Sequence, residues 1–109
     1  MRLSNIKMID QCGNVVATAR VTQREGYFAG LIDLSLMPAN LRQKFEEYEE
    51  IVNGQMFGLL DQIEEQIGAI PLKVVFEEGV EFSVADLQIY PGRGRVSFKI
   101  LKEPARAEV

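Results

Sequence analysis

Residues 38–71 read PANLRQKFEEYEEIVNGQMFGLLDQIEEQIGAIP, and the spacing of their apolar side chains decides the class of fold. Leu41, Phe45, Tyr48, Val52, Met56 (or Gln55), Leu59, Ile63 and Ile67 recur three and four residues apart, which is one stripe along a helix. Pro38 has the fixed φ of a first helical turn, and Ser35 stands just upstream as a candidate cap. Gly68 occupies the place of a left-handed cap and Pro71 follows it, so the stop is as clear as the start. Taken unbroken, Pro38 to Ile67 would measure roughly 45 Å at 1.5 Å per residue, longer than most sheets in a domain this size are wide. Asn53-Gly54 is the weakest point, because glycine costs ~1 kcal/mol relative to alanine inside a helix. The stripe nevertheless keeps phase across Gly54, which favours one continuous helix over two pieces folded onto one sheet.

Strand patterns flank this segment on both sides. Upstream, Ile6 to Gln11 is a short apolar-rich run closed by Cys12-Gly13-Asn14. Val15, Ala17, Ala19 and Val21 then alternate with Val16, Thr18, Arg20 and Thr22, the period of two of a half-buried strand. Arg24-Glu25-Gly26 is a turn signal. Tyr27 to Leu34 reads as a third strand, apolar on both faces and so expected to be central or covered on both sides. Downstream, Leu72 to Phe76 is nearly all apolar, Glu77-Glu78-Gly79 is a turn, and Val80, Phe82 and Val84 alternate. The phase slips before Leu87 and Ile89, which predicts a bulge near Ala85-Asp86. Tyr90-Pro91-Gly92-Arg93-Gly94 is a hairpin turn, and Val96, Phe98 and Ile100 form the last strand. The expectation is an α+β fold: about six antiparallel strands, three before and three after one long helix that packs on the sheet. Residues 1–102 read as a single domain and 103–109, with Pro104, as a flexible tail.

Composition narrows the chemistry. The 109 residues include 12 basic and 16 acidic side chains, a formal charge of −4. That sign argues against a general nucleic-acid binder and against docking on an anionic membrane. No apolar run approaches the ~20 residues of a membrane-spanning helix, and no secretory leader is evident, so a cytoplasmic setting is the simplest expectation. Histidine is absent and Cys12 is the lone cysteine. Ser-His and Cys-His nucleophile pairs, thiolate zinc sites and an intrachain disulfide are therefore excluded, and neither a metal nor another cofactor is expected. An enzyme would have to work with carboxylates, Lys, Tyr or Cys12, which points away from catalysis.

Several groups remain as candidate sites. Glu46-Glu47-Tyr48-Glu49-Glu50 could be a cation patch, but a solvated helix face opposite the apolar stripe accounts for it better. Arg93 and Arg95, in the Pro-Gly hairpin, are the candidates for contact with an anion or a nucleic-acid backbone, although the loop lacks the ending of a phosphate-binding loop. Asp33 interrupts the apolar run Leu31-Ile32-Asp33-Leu34; facing a core it would need a partner, and facing solvent it would not. With Tyr27, Tyr90 and Asp86 it would line any sheet–helix cleft that binds a small molecule. Ile51, Phe57 and Leu60 broaden the helix stripe beyond what one sheet face covers, which suggests a protein partner on Val52, Met56, Phe57 and Leu60, most simply a second copy in a homodimer. The leading functional expectation is thus a non-enzymatic interaction domain that self-associates through its long helix. A small-molecule binding protein, or an enzyme working with carboxylates and tyrosine, in the sheet–helix cleft is the alternative from a different class.

Overall fold

The computed structural model describes residues 3–101. The tail expected at 103–109 lies outside the described residues. Three strands come first, β1 (Leu3–Ile9), β2 (Val15–Gln23) and β3 (Phe28–Asp33). A helical layer follows: α1 (Ala39–Asn53), one 3-10 turn (Phe57–Leu59) and α2 (Leu60–Gly68). The chain then returns to strands with β4 (Lys73–Val75), β5 (Glu81–Tyr90) and β6 (Arg95–Leu101).

Every strand pair is antiparallel, and helices and sheet are both present, in keeping with the α+β class. The sheet does not lie open beneath a helix, however. Its strands run β1-β2-β3-β6-β5-β4, and β4 pairs back onto β1, so the six close into a barrel. Closure removes both free edges of the sheet. The alternation in β2 sends Ala17, Ala19 and Val21 inward, where they meet Ile6, Met8, Val74, Ile89, Val96 and Phe98 in one buried cluster. A narrow barrel has little room at its axis, and small side chains on β2 leave space for the larger ones opposite. β3 carries the tightest position of all. A Cβ on Gly30 would run into the backbone carbonyl of Arg20 on β2, so the close approach of these two strands depends on glycine.

Two expectations about β3 and β5 meet different outcomes. β3 is not covered on both sides: Phe28 and Ile32 face the core, while Leu31 is 58% exposed and Tyr27, just before the strand, is 42% exposed. The slip in β5 is a bulge. Its pairing with β6 shifts between Ala85 and Gln88, and Asp86 takes a positive φ of 52°. The extra residue lets Val84 before it and Leu87 and Ile89 after it all pack on the core.

The single long helix is not found. α1 ends after Asn53, and the chain turns before α2 begins. The turn has the hydrogen bonds of a Schellman cap: Met56 N donates to Ile51 O (3.0 Å) and Gln55 N to Val52 O (3.1 Å). Gln55 sits at the left-handed position with φ 56°. At Gly54, just before it, a Cβ would lie 3.1 Å from Met56 Cε and 3.2 Å from the backbone oxygen of Glu50. In-phase apolar residues on either side of Gly54 therefore serve two helices that pack against each other and over β5. Phe45, Tyr48, Ile63 and Ile67 are buried there. Ser35 does not cap α1; Pro38 occupies the N-cap with no side-chain bond, and its carbonyl accepts from the amides of Leu41 and Arg42.

Two substitutions test this account by urea unfolding. Gln55→Gly removes a side chain from the left-handed region and is expected to stabilise the protein by about 0.5–1 kcal/mol. Gly30→Ala is expected to destabilise it by about 2 kcal/mol or more, since backbone rather than a flexible side chain must move.

Candidate functional site

The outer face of the barrel brings together groups that are far apart in the chain. Cross-strand pairing sets Asn5 beside Arg20, Arg20 beside Leu31, and Leu31 beside Arg95, forming one outward row over β1, β2, β3 and β6. The next outward row runs Val75, Lys7, Thr18, Asp33. Between them Ile6, Ala19 and Ile32 turn their side chains into the core, so the floor between the rows is backbone. The turn after β4 adds Phe76 and Glu77 at one end, with Glu77 Oε2 accepting from Asn5 Nδ2 at 3.0 Å. A hollow of about 800 Å³ opens over this surface, lined by Asn5, Lys7, Thr18, Arg20, Leu31 and Asp33 among others. Its size is in the range of small-molecule sites.

The lining of the hollow carries two cations, Lys7 and Arg20, and two carboxylates, Asp33 and Glu77. Among the described residues, Lys7, Arg20 and Arg95 enter no hydrogen bond or ion pair through their side chains; the ion pairs found are Arg42–Glu46 and Lys99–Asp86. Asp33 is exposed, which resolves its orientation. Its Oδ1 accepts from Ser35 N at 2.9 Å, and this bond, with a further one from the Ser35 side chain, holds its carboxyl below the usual aspartate value. Asp33 is therefore ionised at neutral pH and can accept hydrogen bonds, but it is not poised as a proton-transfer catalyst, for which a raised value would be needed.

The other expected site residues do not converge on this hollow. Tyr27 stands at the β2–β3 turn, its carbonyl accepting from Arg24 N. Asp86 lines a second hollow of about 400 Å³ between β5 and the helices, with Tyr48, Glu64 and Gln88. Tyr90 packs on Tyr48 with ring centroids 5.7 Å apart and donates to Gln88 Oε1 at 3.2 Å. Burial, then a hydrogen bond with Tyr90, pushes the Tyr48 phenol well above its ordinary value, so it stays protonated. Val52 and Leu60 are half-buried, whereas Met56 and Phe57 are exposed.

Arg93 and Arg95 separate. Arg93 lies 5.6 Å over the Tyr90 ring and donates to Asn53 Oδ1 at 3.2 Å, fastening the hairpin to α1. Arg95 belongs to the outward row beside Leu31. The hairpin has a stronger anchor in Glu49, which departs from the solvated face expected of the acidic run. Glu49 is only 9% exposed and its Oε1 accepts from Gly92 N at 2.8 Å. A Cβ on Gly92 would lie 3.1 Å from that oxygen, so glycine leaves room for the carboxylate. The Pro-Gly-Arg-Gly motif is accounted for by this clasp.

Lys7, Thr18 and Arg20 were not singled out from sequence, although the alternation of β2 already put Thr18 and Arg20 on its polar side. Among the described residues no three carboxylate or cysteine side chains come together as a metal site, and no helix is long and apolar enough to cross a membrane. Compared with protein-family models, curated proteins and solved structures, the chain shows no match.

Glu49→Ala is expected to cost about 1.5–3 kcal/mol, the range for a hydrogen bond to a charged group. Glu49→Gln should cost less, because an amide oxygen can still accept from Gly92. Chemical denaturation gives the energies, and the Gly92 amide resonance reports whether the hairpin has come loose.

Proposed function

We propose that this chain is a non-enzymatic binding domain that holds a small organic anion on the outer face of β1, β2 and β3. The observation that supports this reading is the pair of unpaired cations, Lys7 and Arg20, lining a hollow of ligand size, with Arg95 outside it next to Leu31. Elsewhere in the structure Arg93 and Lys99 are satisfied by neighbouring groups. On this face the side chains of Lys7 and Arg20 enter no hydrogen bond or ion pair among the described residues, and a phosphate or carboxylate would supply one. Leu31 offers an apolar plate for the body of the ligand. Thr18, Asn5 and the ionised Asp33 offer polar groups at its margins, so a ligand with an N–H or O–H donor besides its anionic group fits best. An uncharged ligand would leave the cations unused, and a polyanionic backbone would meet Asp33 and Glu77 on the same surface.

Two probes separate the possible sources of the anion: adenosine monophosphate for phosphate and citrate for carboxylate. In a titration followed by amide chemical shifts, at least one should move the signals of Lys7, Thr18, Arg20 and Leu31. Lys7→Ala combined with Arg20→Ala should weaken that binding about tenfold or more, as expected from loss of charge-assisted hydrogen bonds. Arg93→Ala should leave it unchanged. If neither probe moves those amides at millimolar concentration, the reading fails.

A further inference from the structure

The turn between α1 and α2 has no part in the anion site, and it presents apolar side chains to solvent. We infer that it is a docking surface for a basic segment of another protein that carries apolar anchors. Met56 is 44% exposed, Phe57 59% and Leu59 48%, and every residue from Asn53 to Leu59 is exposed. Scattered exposed apolar residues are ordinary, but three within four residues on one turn are a patch. The turn is held by its own backbone bonds, Met56 N to Ile51 O and Leu59 N to Met56 O among them. A partner therefore meets side chains on a fixed backbone, which reduces the ordering cost of association.

The charge around the turn specifies the partner. Residues 39–68 hold seven carboxylates and two cations, a net −5 against −4 for the whole chain. Both cations are engaged within the helical layer, Arg42 with Glu46 and Lys44 with Gln66. The last turn of α1 carries Glu50 and no basic residue, so its carboxylate adds to the negative end of the helix dipole beside the patch. Asp61 and Glu64 follow on the other side. Arg93 reaches this end of α1 from the β5–β6 hairpin, and Asn53 and Tyr90 hold it. A second copy would set two such acidic layers face to face, which disfavours the symmetric dimer suggested by the helix stripe. The patch is also far smaller than the ~20–30 residues a side of a stable protein interface. A short basic segment with apolar anchors satisfies both conditions.

The test is fluorescence anisotropy with a labelled synthetic helix of Lys and Leu at amphipathic spacing. One control peptide has Glu in place of Lys, and another has Ser in place of Leu. The Lys/Leu peptide should bind, and both controls should bind about tenfold more weakly or worse, since anchors and charge each contribute. Phe57→Ser with Leu59→Ser, and separately Glu50→Lys with Asp61→Lys, should reproduce those losses while circular dichroism and the unfolding midpoint stay unchanged. Lys7→Ala with Arg20→Ala should leave peptide binding intact, so failure of the anion site and failure of this surface are distinguishable. Binding that survives Phe57→Ser with Leu59→Ser overturns the inference, as does no binding at all. A dimer in light scattering that those two substitutions dissolve would assign the surface to a second copy and overturn it equally.

Discussion

The three-residue pairing of β4 with β1 is the contact on which the rest of the structure depends. Lys7, Met8 and Ile9 face Val75, Val74 and Lys73, and this short ladder closes a sheet whose two halves already meet at β3 and β6. Without it the sheet would have two open edges, one on β1 and one on β4. With it the interior becomes a closed, narrow space, and that space explains residue choices that are otherwise unconnected. Ala17 and Ala19 are small because Met8 and Ile6 sit beside them in the adjoining strand. Gly30 lacks a side chain because β2 comes too close for one. The bulge at Asp86 re-phases β5 so that residues before and after it can both fill the core. Lys7, Arg20 and Arg95 come to share one face through the β1–β2, β2–β3 and β3–β6 registers, and closure brings Val75 of β4 to the end of the second outward row.

The helical layer follows from the same constraint. A helix of about 30 residues would overhang a barrel this small by several turns, and its apolar stripe would be left in water. Breaking it at Asn53 lets α1 and α2 cover one another and β5 instead. The break is local chemistry, a Schellman cap whose left-handed residue is Gln55 rather than the usual glycine. The glycine stands one position earlier, at Gly54, in close contact with the Glu50 carbonyl and the Met56 side chain. Backbone strain at Gln55 is thus tolerated in exchange for a compact layer. Met56, Phe57 and Leu59 are what that compaction leaves outside.

How much of this was legible in the sequence depended on whether a feature is local. Alternation in Val15 to Thr22 and the slip after Val84 are short-range patterns, and both correspond to structure: a half-buried strand and a bulge. The helix stripe was equally real, but phase continuity cannot distinguish one helix from two that resume at the same angle after a turn. The signal for the break was Gly54 followed by a residue willing to go left-handed, and Gln55 is an uncommon choice for that position. Closure had no local signature. Leu72 to Phe76 looks like any buried strand, and nothing in its composition says that its neighbour is β1. The outward cation face was invisible for the same reason, since only the β1–β2 register brings Lys7 and Arg20 to neighbouring outward rows. The hairpin arginines drew attention because they are close in sequence, yet the fold sends Arg93 to Tyr90 and Arg95 to Leu31.

Charge segregation gives the two surfaces different characters within one small chain. The helical layer holds −5, so the remainder of the sequence, taken together, is +1. A net charge of −4 therefore describes neither part, and excluding anionic ligands on that figure alone treats the molecule as a uniform sphere. At physiological ionic strength the screening length is ~8 Å. The acidic residues of the helices are weakly felt beyond that distance, and an anion approaching the β1–β3 face responds to the charges there, Lys7 and Arg20 on one side and Asp33 and Glu77 on the other. The same screening confines the pull of the helical carboxylates to what comes close to them. Local charge, placed by the register of the strands and by the turn between the helices, governs what each face can hold.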